Sequence, residues 1–301
     1  MTKPIRQTGN TVLVVGSLHY DIMVEADHLP RKDETAVGSR WYPKFGGKGG
    51  NQAVSAQAHG AIARMLGAVG ADDFGAFLRA RLQSSVVDHR FVATCDGVAS
   101  GMSVAIMDAS GDYAATIVSG ANLHILPETL QNPEVWQDVR LLVLQNEVPE
   151  AINLAAAKAA RARGIRTLLN AAPSRPMSLA FARLVDVLVV NAVEAEMMMG
   201  TAPITSLKAA AGAAKILADR FESVIVTAGS LGLAAWSAED EHFSIPAEKI
   251  EVVSSHGAGD AFIGALAACL VGDMRFKKAC AAASHAAAEH VAGRPAVAIP
   301  R

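Results

Sequence analysis

Thr11-Val12-Leu13-Val14-Val15-Gly16-Ser17 is an unbroken apolar run that ends in glycine. A strand with one wet face alternates apolar and polar residues. A run without alternation predicts a strand covered on both faces, as in a parallel sheet. The pattern recurs at Met65-Leu66-Gly67-Ala68-Val69-Gly70, Leu141-Leu142-Val143-Leu144 and Thr167-Leu168-Leu169-Asn170, and again at Val185-Asp186-Val187-Leu188-Val189-Val190 and Val224-Ile225-Val226-Thr227. Between these runs stand segments of helical spacing: 53–58, a stretch opened by Asp72-Asp73, 151–163, 261–270 and an Ala-rich 277–292. Strands alternating with helices predict βαβ units, and so an α/β fold with a doubly wound, mostly parallel central sheet flanked by helices. Two stretches break the rhythm. Residues 22–42 alternate loosely, and 100–118 alternate around Asp108-Ala109-Ser110-Gly111-Asp112, a hairpin signal. Together they predict a small β-rich appendage. No linker or repeat divides the chain, so one domain, 1–301, is expected.

The apolar pattern also locates two unusual helix starts. Phe45-Gly46-Gly47-Lys48-Gly49-Gly50-Asn51-Gln52-Ala53 runs into the first helical segment, and Ser254-Ser255-His256-Gly257-Ala258-Gly259-Asp260 runs into the most apolar one. A helix start offers unpaired N–H groups and a partial positive charge, which suits an anion. Glycines let a ligand approach the backbone. An acid beside an anion site repels it, so Asp260 makes chemical sense as a base that takes a proton from a nucleophile attacking a phosphoryl group. On that stretch alone, an ordinary N-cap aspartate explains Asp260 as well. Neither motif is a Walker A loop, because the Gly-x-x-x-x-Gly-Lys-Ser/Thr spacing is missing. Asp72-Asp73 invites a metal site, but a helix N-terminus accounts for it too. Polar or glycine residues recur just past the strands: Asp21, Glu147, Asn170, Asn191, Glu194, Thr227 and Gly229. In a doubly wound sheet that edge is where ligands bind.

Composition narrows the classes. The 301 residues are 51% hydrophobic and 19% charged, with a net charge of -2 and no basic block. Binding driven by nucleic-acid phosphates is therefore not expected. Cys95, Cys269 and Cys280 form neither a disulfide framework nor a metal spacing. With a polar N-terminus and no apolar run long enough to span a bilayer, they suggest a cytoplasmic protein without membrane contact.

Two motifs, Gly46-Gly47-Lys48-Gly49-Gly50-Asn51-Gln52-Ala53 and Gly257-Ala258-Gly259-Asp260, together with the βα rhythm between them, resemble the ribokinase (PfkB) family of carbohydrate kinases. The resemblance covers nearly the whole chain. It implies transfer of the ATP γ-phosphate to a sugar hydroxyl, with Mg²⁺. By position, Asp260 resembles the catalytic base, and Gly257, Ala258 and Gly259 the anion hole. Asp21, Gly47, Lys48, Asn51 and Glu147 fall where the family contacts the sugar. Asn191 and Glu194 match its Asn-x-x-Glu motif, linked to phosphate positioning and, indirectly, to Mg²⁺. Thr227, Gly229, Ser230 and Gly232 match its nucleotide loop, and His285 falls near the adenine. Residues 17–42 and 98–120 resemble the β-lid over the sugar, which in many members also clasps a second subunit; a homodimer through the lid is implied.

The chain departs from the family at two points. Ribokinase usually has Asp-Thr-Thr where this chain has Ser254-Ser255-His256, so a charged ligand of the monovalent-cation site is missing and K⁺ activation is left open. His19 stands where ribokinase usually has Asn, which argues against assuming ribose as the acceptor. A nucleoside kinase of the same fold and a non-catalytic sugar or nucleotide sensor are the alternatives. Few aromatics in the lid segments (Tyr20, Trp41, Tyr42, Tyr113) weigh against the first; the intact Asp260, Lys48 and Glu194 weigh against the second.

Overall fold

A computed structural model describes residues 9–108 and 113–299. Its strands, in chain order, are β1 (Thr11–Val15), β2 (His19–Ala26), β3 (Gly38–Gly46), β4 (Ile62–Gly70), β5 (Asp88–Cys95), β6 (Met102–Met107), β7 (Tyr113–Val118), β8 (Val139–Gln145), β9 (Arg166–Asn170), β10 (Val187–Asn191), β11 (Ser223–Thr227), β12 (Gly232–Ser237) and β13 (Glu241–Pro246). The α-helices are α1 (Lys48–Ala58), α2 (Asp73–Ser84), α3 (Glu150–Arg161), α4 (Leu179–Ala182), α5 (Ala192–Met199), α6 (Leu207–Leu217), α7 (Ala258–Val271) and α8 (Phe276–Val291).

Among the described residues, nine strands form one sheet in the order β13-β12-β11-β10-β9-β8-β1-β4-β5. It is parallel from β11 through β5, with β12 antiparallel to both β11 and β13. The expected α/β architecture is therefore present. The unbroken apolar pattern of β1 has a direct cause: Val12 and Val14 join the core under α1, α2, α7 and α8, while Leu13 and Val15 join the core under α3, α5 and α6. A strand's side chains alternate in direction, so both of its faces must be apolar when helices cover both.

From β1 the chain reaches β4 on one side and later β8 on the other. Strand order thus reverses at β1, and a crevice opens beyond the carboxyl ends of β1 and β8. Ser17 follows β1 and Glu147 follows β8, and Ser17 Oγ donates to Glu147 Oε2 at 2.5 Å across that crevice.

A second, four-stranded sheet has the order β3-β2-β6-β7. It accounts for the loose alternation of the two stretches that broke the βα rhythm. The hairpin expected around Asp108 to Asp112 has its antiparallel strands in β6 and β7, paired from Met102↔Val118 to Met107↔Tyr113; residues 109–112 of its turn lie outside the described residues. Asp72 is an N-cap and not a metal ligand: its Oδ1 accepts from Gly75 N at 2.7 Å and Ser100 Oγ at 2.6 Å, and its Oδ2 from Ser100 N at 2.7 Å. No helix among the described residues is long and apolar enough to cross a membrane.

Candidate active site

Both glycine motifs are helix starts at the same edge of the main sheet, and they serve different anions. The N-cap of α1 is Gly47 at φ 83°, where a Cβ would stand 2.7 Å from His19 N. Only glycine fits there, by conformation and by space. The first N–H groups of α1 are already taken: Lys48 N donates to Glu147 Oε2 at 2.8 Å, and Gly50 N donates to Ser17 O at 2.9 Å. The anion at this helix start is thus the protein's own Glu147, held by the helix dipole and by Ser17 Oγ.

The start of α7 is different. Its N-cap, Gly257, has φ 82° and no side chain caps the helix. Gly257, Ala258, Gly259 and Asp260 instead line a cavity of about 150 Å³ with Lys48, Asn191, Glu194 and Thr227. Uncapped N–H groups on a cavity wall beside a lysine have the chemistry that suits an anion. Asn191 and Glu194 form a capping box at the start of α5: Glu194 N donates to Asn191 Oδ1 and Asn191 N to Glu194 Oε2, each at 2.8 Å. The Asn-x-x-Glu spacing is therefore explained first as helix capping, which then fixes both side chains against the cavity. Burial raises the pKa of Glu194, partly offset by the Asn191 N–H and by Lys48.

Asp260 stands between two cavities. With Gly257 it lines the small one and also a larger one of about 820 Å³, bounded by Lys44, Phe45, Asn51, Phe77, His256 and the face of α8. Gln52 Nε2 donates to Asp260 Oδ1 at 2.9 Å, and Asn51 Nδ2 reaches Oδ2 at 3.3 Å. Burial raises the Asp260 pKa; Lys48 and the Gln52 hydrogen bond oppose the rise, and Glu147 adds to it. A carboxylate held above its ordinary range is a stronger base than a free aspartate.

The other expected site residues fall into groups. Asp21 is buried and accepts a hydrogen bond from Ser103 Oγ at 2.6 Å. Its pKa is raised by burial; Ser103, His19 and His256 oppose the rise. Asp21, Gly47 and Glu147 sit beside the two cavities rather than in their walls, and Lys48 lines the small cavity. Gly229 and Ser230 form a short 3-10 turn after β11, and Gly232 opens β12. These three line neither cavity, although Thr227 just before them does. His285 is exposed, pairs with Glu248 at 2.9 Å, and lines the larger cavity away from Asn191 and Thr227. Gln52, Lys44 and Phe77 were not singled out from the sequence. Gln52 lay inside a recognised motif one residue past Asn51; Lys44 and Phe77 carry no local signal.

The fold and this edge constellation define a phosphotransferase-type site. The chain belongs to the pfkB family of carbohydrate kinases, whose model matches residues 10–298. It is 35% identical to a ribokinase of Mus musculus over 260 residues, 85% of this chain and 80% of that protein. It is 32% identical to a deoxyribokinase of Salmonella typhi, over 85% of this chain and 84% of that one. The structure of Arabidopsis thaliana ribokinase complexed with ribose and ATP superposes with a TM-score of 0.86 at 26% identity, covering 94% and 92% of the two chains. The protein is accordingly a kinase that transfers phosphate to a hydroxyl of a sugar or nucleoside, and ATP binding follows from its family. That sets the non-catalytic sensor aside.

Proposed function

We propose that the chain phosphorylates a small carbohydrate, ribose or a related sugar, from ATP, with Asp260 as the general base. One observation carries the assignment: Asp260 and Gly257 alone line both cavities, so the acidic group and the glycine-rich helix start stand where acceptor and phosphoryl group meet. The acceptor hydroxyl approaches from the larger cavity and gives its proton to Asp260. Its oxygen bonds to the γ-phosphorus as the bridging P–O bond breaks, and the electron pair leaves with ADP. The start of α7 and Lys48 compensate the charge on the transferring oxygens. The similar ribokinase and deoxyribokinase support a pentose acceptor.

Mg²⁺ takes one or two carboxylates from a protein and completes its shell with phosphates and water. Glu194 and Asp260 are the carboxylates on the small cavity's wall, a number that fits that pattern, and no cluster of three metal-binding side chains exists among the described residues. Glu194 and Asn191 would hold the ion through water, where it would neutralise phosphate charge. The four-stranded sheet acts as a lid over the acceptor, takes in the segments 17–42 and 98–120 of a single domain with β3 running on to Gly46, and also forms a homodimer contact.

Asp260→Asn removes the base while keeping size, and its amide oxygen still accepts one of the two bonds from Gln52 and Asn51. It is expected to bind nucleotide and to lose about 10²–10⁴-fold in kcat. Turnover near that of the unaltered enzyme would reject Asp260 as the base.

A second acceptor class is favoured by one feature. The larger cavity greatly exceeds a pentose and carries Phe45 and Phe77 on its wall, with Phe77 packed edge-on against Tyr20 at 4.8 Å. Those aromatics suit a nucleoside base. A panel of pentoses, hexoses and nucleosides, read by ADP release, separates the two: the larger kcat/KM names the class.

A further inference from the structure

Three buried amides stand in line behind Asp260. Gln52 is 1% exposed and Gln145 is fully buried. Gln52 Nε2 lies 2.9 Å from Asp260 Oδ1 and 3.1 Å from Asn170 Oδ1. An ionised carboxylate only accepts, so the Gln52 atom facing it is the amide nitrogen, and the side chain's orientation is thereby settled. Gln52 Oε1 then needs a donor, and Gln145 Nε2 supplies one at 2.8 Å. Gln145 itself is anchored where Asn153 Nδ2 of α3 donates to its backbone oxygen at 2.7 Å. The line runs from α3 through the end of β8 and α1 to the first turn of α7.

Gln145 Oε1 has no hydrogen-bond partner. Burying an amide with one unpaired end is unfavourable. The bond its other end makes, to Gln52, is what an apolar residue of the same shape could not provide.

The two oxygens of Asp260 are consequently unequal. A proton arriving on Oδ1 would set an O–H against the N–H of Gln52, donor against donor. Oδ2 meets only the long 3.3 Å contact from Asn51, beyond the usual range for an N–H···O bond, and an incoming hydroxyl can displace it. We propose that Gln52, oriented by Gln145, is a positioning residue for phosphoryl transfer: it occupies Asp260 Oδ1 and leaves Oδ2 as the oxygen that receives the acceptor's proton. The proposal rests on Asp260 being the base. Other ionisable groups around Asp260 are Lys48 on α1, Glu147 after β8, His256 before α7, and Glu194 across the small cavity. None of them is bonded to Oδ1.

The test uses Gln52→Met and Gln145→Met, which keep the volume and remove the donors. Each is checked for folding by thermal unfolding and for nucleotide binding. In Gln52→Met, kcat is expected to fall about 10–100-fold with acceptor KM changed less than about threefold. The acid limb of its kcat–pH profile moves to higher pH, because the charged carboxylate has lost a donor. Gln145→Met shifts the limb in the same direction by less, and reports alone if Gln52→Met does not fold. Folded variants whose acid limb stays in place overturn the proposal, whatever their kcat. Asp260→Asn is run alongside. If it turns over normally, the base assignment fails; if it is inactive while both Gln variants behave as the unaltered enzyme, only the positioning role fails.

Discussion

Asp21 and Asp260 are both held above the ordinary carboxylate range, and burial is the leading cause for each. A carboxyl whose folded pKa is raised gives its full stabilising effect below the unfolded pKa, near 3.8, and loses it as pH climbs through the folded value. At neutral pH the charged Asp21 is therefore a burden on stability, one that the proposed role in acceptor binding would explain. Asp21→Asn is expected to unfold at a higher temperature than the unaltered protein at pH 7, with the gap closing as the pH falls toward 4. Its acceptor KM rises in the same variant. Thermal scans at several pH values read the first effect and steady-state kinetics the second; a lower unfolding temperature at pH 7 would contradict the sign. For Asp260, in its proposed role as base, the same raised pKa acts on rate: a base must be deprotonated, so kcat is expected to fall on acidification at a pH above the usual aspartate range.

At the scale of elements, one arginine joins parts that the sheet alone leaves loose. Arg64 on β4 is buried; its Nε meets Asp88 Oδ2 of β5 at 2.8 Å, and its Nη1 donates to the carbonyls of Glu134, Val135 and Gln137 ahead of β8. Arg64→Met removes the side-chain donor from the Val135 and Gln137 carbonyls, leaves the Glu134 carbonyl with Gln137 N and Asp88 with Arg90 alone, and is expected to lower stability by about 2–3 kcal/mol in urea unfolding. A loss within experimental error would show the cluster to be replaceable. Elements whose pattern follows from two-sided burial, such as β1, β8 and β10, were legible in the sequence. β5 was not, because Asp-His-Arg at its start serves ion pairs at the sheet's edge. The hairpin of β12 and β13 was hidden by its position after a glycine turn in a region of parallel rhythm. The β-branched run Ile250-Glu251-Val252-Val253 is loop in the structure: Val252 is 65% exposed, and Val253 N and Ser254 N bond to Val291 O at the end of α8. At the small cavity, Asn191 and Thr227 were legible as polar residues at strand ends and Asp260 as the acid of a glycine-rich helix start. Gln52 to Gln145 was not, since a buried amide pair distant in sequence leaves no period.

At the scale of the whole molecule, one face of the four-stranded sheet sets apolar residues beside polar ones. Pairing puts Tyr42, Met23 and Ala105 in one row, and Lys44, Asp21, Ser103 and Ile117 in the next on the same face. Asp21 is buried on that face, while Ile117 is 56% exposed at its far end. A sheet face that is polar around Asp21 and apolar toward Ile117, and that carries the proposed lid, suits a second copy of itself. The protein is therefore expected to sediment as a dimer at micromolar concentration. Ile117→Lys places a charge on the outer strand without touching Asp260, Lys48 or Asn191, and shifts the species to monomer with the main domain's unfolding transition retained. If the lid closes properly only when clasped, the monomer also shows a raised acceptor KM and faster ADP formation without acceptor, because water reaches the phosphoryl group. A dimer that survives Ile117→Lys, or a protein monomeric from the outset, rules out this face as the contact.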